Sequence, residues 1–209
     1  MKHLFLTSEI QYVANDIGPK IDSKLKANAV FIITAIKDKN HTDLDWHYTN
    51  KSNMESVGFK FSVYDISGKT KDEIIRDLSS FDVMYVEGGN SYYLLQESQK
   101  SGFDKFVKQR VEEGMIYLGT SAGTVIAGPD IEPVRQDSRA ILAKELRGTK
   151  GYGLVDFVVM PHWGSPERRE LFNKYRLEHI YQEDYPYILI NDNQYVEVVG
   201  DSFHIVTVS

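Results

Sequence analysis

Short, continuously apolar runs alternate with stretches of helical period along this chain. Residues 4–7 (Leu-Phe-Leu-Thr) and 29–35 (Ala-Val-Phe-Ile-Ile-Thr-Ala) are apolar without alternation, the pattern of strands covered on both faces. Residues 58–64 alternate polar and apolar and predict another strand, while 83–86 (Val-Met-Tyr-Val), 115–118 (Met-Ile-Tyr-Leu) and 154–160 predict three more buried ones. Between them, 44–57 has the mixed polarity of an amphipathic helix, and 70–78 places Ile74, Ile75 and Leu78 on one helical face. Helices are also expected at 90–99, 103–113, 122–127 and 167–181. Three short strands, 187–190, 195–199 and 203–208, are separated by turn residues near the end. Residues 128–153 follow neither period and read as a loop and hairpin excursion.

Strand–helix alternation with continuously apolar central strands predicts an α/β fold: a three-layer, mostly parallel sheet with helices on both faces. The closing strands fit as antiparallel additions at an edge. With 209 residues and no repeat, linker or low-complexity tract, residues 1–209 are expected to form a single domain. A chain of this length buries enough surface to fold without disulfides, and it has no cysteine. That composition fits a reducing compartment and points to the cytoplasm; it also removes thiol nucleophiles and thiolate metal sites. The amino-terminal apolar run is cut off by Ser8 and Glu9, too early for a signal peptide, and no apolar stretch approaches a membrane span. A formal charge of −6 argues against a general nucleic-acid binder.

Chemistry concentrates where strands end. Gly119-Thr120-Ser121-Ala122-Gly123 follows one apolar run and precedes a small-residue helix. Strand, Gly-x-Ser-x-Gly, helix is the arrangement of a nucleophile elbow, whose tight turn lifts the serine hydroxyl above the sheet edge. The competing reading is a turn in which Ser121 only caps the helix. Gly88-Gly89 follows the strand at 83–86, with Asn90 placed to cap the next helix, and Pro161-His162 follows the strand at 154–160. In an open parallel sheet these carboxyl ends share one edge. A serine, a glycine pair and a histidine there are the parts of a serine hydrolase. Ser121 is the expected nucleophile and His162 the expected general base. The N–H groups of Gly89 and Ala122 form the expected oxyanion hole.

Of the six histidines, His41, His47 and His179 fall in expected surface loops or helices, and His3 and His204 in terminal strands. The acid that must orient the imidazole is open among Asp130, Glu132, Asp137, Asp156 and Glu87. There is no metal-ligand spacing of the His-Glu-x-x-His kind. No phosphate-binding or dinucleotide glycine motif follows a strand either, so no metal and no cofactor are expected.

These residues together resemble the S51 serine peptidases, a family that includes peptidase E (the α-aspartyl dipeptidases) and cyanophycinase. The resemblance rests on Val86-Glu87-Gly88-Gly89-Asn90-Ser91, on the elbow at Ser121 and on Pro161-His162, in that order. It implies a class I glutamine amidotransferase-like fold, with serine where those enzymes carry cysteine. It implies a serine exopeptidase or dipeptidase acting on short peptides with a free N-terminus through an acyl-enzyme on Ser121. In peptidase E an aspartate some fifteen residues beyond the serine completes the triad; Gln136 holds the ungapped position here and Asp137 follows it. Asp137 is therefore the first choice for the acid and Glu132 the second. Peptidase E also reads an N-terminal aspartate with an arginine downstream of the histidine, where this chain offers Arg168, Arg169 and Arg176. Asn90 and Arg169 are the expected substrate-binding residues. The expected partners are a short peptide and a second copy of the chain in a homodimer, without nucleic acid or membrane.

Three other readings compete. A glutaminase predicts cysteine at the elbow and an acid two residues after the histidine, where this chain has Ser121 and Gly164. An esterase of the α/β-hydrolase kind shares the elbow but is usually longer, with its histidine nearer the carboxyl end. A non-catalytic binding domain on the same scaffold predicts a folded protein whose Ser121 resists acylation.

Overall fold

In a computed structural model describing residues 1–38, 44–177 and 185–209, four of the apolar runs and the alternating run at 58–64 form the parallel part of a sheet. Strands β1 (His3–Thr7), β2 (Ala29–Ile32), β3 (Phe61–Tyr64), β4 (Val83–Val86) and β5 (Ile116–Thr120) lie in spatial order β3-β2-β4-β5-β1. Every neighbouring pair among them is parallel. Two strands of the tail, β6 (Val158–Met160) and β7 (Tyr187–Leu189), pair parallel with each other in a separate small sheet. The last two, β8 (Gln194–Val199) and β9 (Ser202–Thr207), extend the main sheet antiparallel beyond β1. Two expectations change here. The strand predicted at 154–160 shortens to β6 and lies outside the main sheet, and the one predicted at 187–190 is its parallel partner rather than an antiparallel edge. The edge of β1 is taken by β8, Leu6 opposite Val196, so β6 does not pair there and finds its partner in β7.

Side-chain alternation along the central strands builds two cores. Phe5, Phe31, Val83, Tyr85, Ile116 and Leu118 face one side, where helix α1 (Ile10–Ile17) packs Ile10, Val13 and Ile17 against them. After the short helix α2 (Ser23–Lys26), helix α3 (Asp45–Ser56) adds Met54 to the same layer. Leu4, Leu6, Val30, Ile32, Met84, Val86 and Tyr117 face the other side. Helices α4 (Lys71–Leu78), α5 (Ser91–Ser101), α6 (Phe103–Glu112) and α7 (Ala122–Ala127) cover it with Ile74, Leu94, Phe103 and Ile126. The continuous apolar runs follow from this: a central strand is wetted on neither face.

Several local expectations also shift. The run at 29–35 leaves the sheet after Ile32 for a 3-10 turn, Thr34–Ile36. Ile75 is exposed, and only Ile74 and Leu78 of its helix are buried. Residues 128–153 hold a 3-10 turn, the short helix α8 (Asp137–Ala140) and a single antiparallel bridge, Asp130 to Lys150, in place of a hairpin. The helix predicted at 167–181 begins with a 3-10 turn and α9 (Arg169–Leu171) and widens to a π turn at Phe172–Arg176. Its last residues, and the expected positions of His41 and His179, lie outside the described residues. Helix α1 is not among the expected elements, although Ile10, Val13, Ala14 and Ile17 keep the i, i+3, i+4, i+7 spacing of an amphipathic helix; it is only two turns long and Glu9 gives it no side-chain cap. Among the described residues no helix is long and apolar enough to cross a membrane.

Candidate active site

The carboxyl ends of β1, β4 and β5 meet at one edge and deliver Ser8-Glu9, Glu87-Gly88-Gly89 and Ser121 to one place. Between β5 and α7 the chain turns at Ser121 with φ 48° and ψ −105°, and the serine makes no side-chain cap. The hydroxyl instead hydrogen-bonds His162, with Oγ to Nε2 2.9 Å. The glycines of the elbow are steric requirements. A Cβ on Gly119 would lie 2.5 Å from the Gly123 carbonyl oxygen, and one on Gly123 would lie 2.1 Å from that of Val86. Those contacts let α7 start directly against β4 and β5.

His162 follows β6 and also has positive φ, 65°. Its backbone N–H donates to Ser8 Oγ at 2.8 Å. Its Nδ1 lies 2.9 Å from Asp192 Oδ1, and Ser8 Oγ donates to that same oxygen at 2.6 Å. With Nδ1–H donated to the carboxylate, Nε2 carries the lone pair that faces Ser121. Burial holds the imidazole below its ordinary value of 6.5; the Asp192 hydrogen bond opposes this and the Arg168 charge adds to it. Burial works to raise Asp192, but hydrogen bonds from His162 and Ser8 outweigh it and keep that carboxyl below its ordinary value.

The acid on His162 is thus Asp192, not Asp137. Asp137 opens the short helix α8 and is exposed, paired with Arg135 Nε at 2.7 Å, and Glu132 is held by the same arginine. Asp130 pairs with Lys150. Glu87 is fully buried and accepts from His47 Nδ1 at 2.9 Å, from Asn50 and Tyr85, and from the Gly88 N–H at 2.8 Å. His47, expected near the surface, is the buried partner of that carboxylate. Asp192 escapes a search confined between the serine and the histidine. It follows β7, and the parallel pairing of β7 with β6, continued by Ile190 N–H to Met160 O, sets it beside His162. The signal available in sequence is an acid just after the short apolar run at 187–190. Ser8, which grips both His162 and Asp192, carries no signal beyond its place at the end of a strand.

Gly89, with φ 132°, packs so closely that a Cβ would sit 2.4 Å from the Ala35 carbonyl oxygen. Ala122 is the first residue of α7, so its N–H is one of those that no intrahelical carbonyl reaches. Both residues line a small pocket, about 30 Å³, together with Ser121, His162, Tyr92, Arg139 and Arg176. A larger cavity of about 290 Å³ opens beside it, bounded by Glu9, Trp46, Asn50, Gly88, Ser121, Arg139 and Arg168.

The two expected substrate-binding residues are elsewhere. Asn90 is buried; its Oδ1 caps α5 through the N–H groups of Tyr92 and Tyr93, and its Nδ2 binds Asp38 and the Arg139 carbonyl. Arg169 is exposed and borders a separate hollow with Trp163 and Phe172, because it lies on the outer side of its helical turn. The arginines that reach the site are Arg139, Arg168 and Arg176. Arg139 donates to the Gly89 carbonyl at 2.6 Å. Arg176 is 6% exposed, and its Nε and Nη1 have no hydrogen-bond partner among the described residues. Burial, with Arg168 and Arg139 nearby, pushes Arg176 down to about 10. A buried guanidinium without a carboxylate is costly to maintain, and the pocket it faces is open to an anion.

An activated hydroxyl, a neutral imidazole oriented by a carboxylate, and helix-start N–H groups form a constellation capable of acyl transfer. The sequence matches the model of peptidase family S51 over residues 4–206. It is 33% identical to an uncharacterized peptidase of Listeria monocytogenes, over 83% of this chain and 84% of that one. It is 32% identical to an uncharacterized peptidase of Pasteurella multocida, over 78% of both. A peptidase E of Streptomyces coelicolor is 28% identical over 59% of this chain and 51% of its own. Among solved structures, a peptidase E candidate from Listeria monocytogenes superposes with a TM-score of 0.87 at 29% identity, covering 100% of both chains. A peptidase from an acI-B1 actinobacterium, at 14% identity and TM-score 0.72, shares the fold over 100% of this chain and 88% of its own. The chain belongs to peptidase family S51.

Proposed function

We propose that this protein is a serine-type exopeptidase that cleaves short peptides after a free, acidic first residue, aspartate foremost. The observation that carries the reading is the unbroken line from Ser121 Oγ to His162 Nε2 at 2.9 Å and from His162 Nδ1 to Asp192 at 2.9 Å. In the proposed reaction Ser121 attacks the scissile carbonyl carbon while its proton passes to Nε2. The oxygen gains charge and is held by the N–H groups of Gly89 and Ala122. His162 then returns the proton to the departing amine, leaving an acyl ester on Ser121. A water deprotonated by the same nitrogen attacks that ester, and Ser121 recovers its proton as the acid leaves. Asp192 keeps the imidazole in the tautomer that accepts from serine and stabilises its cationic form.

The preference for an acidic first residue rests on Arg176, whose buried guanidinium, with no hydrogen-bond partner for Nε and Nη1 among the described residues, lines the pocket with Ser121, and on Arg168, which lines it too. The lack of cysteine fits a cytoplasmic setting. The test is a panel of dipeptides with the wild-type protein and Ser121→Ala. We expect aspartyl peptides to be turned over fastest, the variant to fall to background, and a fluorophosphonate to label Ser121 alone. Unchanged turnover in the variant would overturn the serine mechanism, and equal rates for aspartyl and leucyl peptides would overturn the acidic preference.

A further inference from the structure

Glu9 occupies the N-cap position of α1, where a shorter Ser, Thr, Asp or Asn side chain ordinarily accepts the first N–H groups of the helix, and its carboxylate caps nothing. It turns instead into the larger cavity, which it lines with Trp46, Asn50, Gly88, Ser121 and Arg168. The group of opposite type nearest to it is His162 Nδ1, at 3.6 Å, whose proton is already given to Asp192. Arg168 is close enough to favour the ionised carboxylate but forms no ion pair with it among the described residues. Asn50 lines the same cavity and is buried, and its Oδ1 accepts no hydrogen bond among the described residues. Two acceptor groups without hydrogen-bond donors among the described residues therefore border a cavity beside Ser121 that Arg139 and Arg168 also line. Such a cavity fits a ligand that carries both a cationic donor and an anion.

We propose that Glu9 is the receptor for the free α-ammonium group of the peptide whose first carbonyl Ser121 attacks, with Asn50 Oδ1 as a second acceptor. This inference rests on the serine-exopeptidase reading. The α-nitrogen of a first residue lies two bonds from the scissile carbonyl carbon, so its receptor must border the same cavity as Ser121 Oγ, and Glu9 does. An ammonium has three N–H donors and a charge to offer. An acylated amine offers one N–H and no charge, and leaves the carboxylate partly desolvated and unpaired, so it is rejected. The exclusion of internal peptide bonds would then come from a single charge rather than from a steric wall. The groups facing Glu9 are His162, Asp192, Arg168 and Glu87; burial first, then the Asp192 charge, raise it to about 7, against the pull of Arg168. An arriving ammonium favours the ionised form, so binding below neutral pH displaces a proton.

The experiment compares aspartyl-leucine with its desamino counterpart, succinyl-leucine, in the wild-type protein and in Glu9→Gln. We expect the ratio of their kcat/KM values to fall at least tenfold in the variant. Both substrates use the same base, so the ratio cancels any effect of Glu9 on His162. The acid limb of kcat/KM for aspartyl-leucine should also move from about 7 in the wild type toward the lower value set by His162. An unchanged ratio, or parallel loss on both substrates, overturns the proposal. A calorimetric arm keeps it separate from the peptidase reading: Ser121→Ala, with and without Glu9→Gln, is titrated with both ligands. If the wild type hydrolyses neither peptide, the peptidase reading fails, but amine-selective binding that disappears with Glu9→Gln still supports the receptor. Equal binding of both ligands in Ser121→Ala overturns it.

Discussion

Ser121 and His162 are the non-glycine residues with positive φ among the described residues, and they are hydrogen-bonded to each other. Such backbone states cost on the order of 1–3 kcal/mol each and persist only where the surroundings over-determine them. Here the surroundings are the strand ends that fix each residue and the Ser8 hydroxyl that pins the His162 N–H. At this scale the acid is the sharpest test. Asp192→Asn leaves the shape but favours the wrong imidazole tautomer, so kcat should fall by roughly 10⁴-fold. Asp137→Asn, which only releases a surface pair with Arg135, should leave kcat within about twofold, as expected for an exposed ion pair. Steady-state kinetics of the two variants decide between the carboxylates; the reverse order would reinstate Asp137. The pH dependence follows from His162. The base must be neutral, and burial holds its folded value below 6.5. The kcat profile should therefore stay flat as pH falls through 6.5 and decline only below it. A midpoint above 6.5 would contradict this environment.

Elements place these groups, and the tightest placement is α7 on the sheet. Gly123 sits where a Cβ would meet the Val86 carbonyl oxygen at 2.1 Å, so Gly123→Ala must push the helix away from β4. Overpacking of this kind costs about 1–3 kcal/mol. Because α7 begins next to Ser121, we expect lower activity together with a lower unfolding midpoint in urea. Full activity at wild-type stability would show that the elbow tolerates a wider spacing. The elements also mark how far sequence could be read. Ser121, Gly89 and His162 could be placed because each stands at the end of an apolar run, and a parallel sheet gathers such ends at one edge. Asp192 could not, because its position depends on which strand β7 pairs with. A three-residue strand carries no signal of its partner. Asn90 satisfies a local capping rule as well as a binding role, and only the contacts of its side chain separate the two.

For the whole molecule, the site has an energetic consequence that unfolding can measure. Glu9 is raised from 4.5 to about 7 in the folded state, so the folded protein binds more protons than the unfolded chain across that interval. Folding stability therefore falls as pH rises from 4.5 through about 7. At about 1.4 kcal/mol per unit this amounts to roughly 3 kcal/mol. Glu9→Gln removes that term, so its urea midpoint should exceed the wild-type midpoint at pH 8 and match it at pH 4. Equal midpoints at pH 8 would show that folding does not disfavour the ionised carboxylate.

The sequence by itself determined the layered α/β plan, the tight turn at Ser121, the glycine turns and the place of the histidine. Each of these is written in local period, in chain order or in a residue type that the backbone demands. The tertiary structure alone decided the partner of His162, the arginines that reach the pocket and the place of Glu9 in the larger cavity. Those depend on strand pairing and on distances between residues far apart in the chain, such as Ser8 and Asp192, and neither quantity has a local signature.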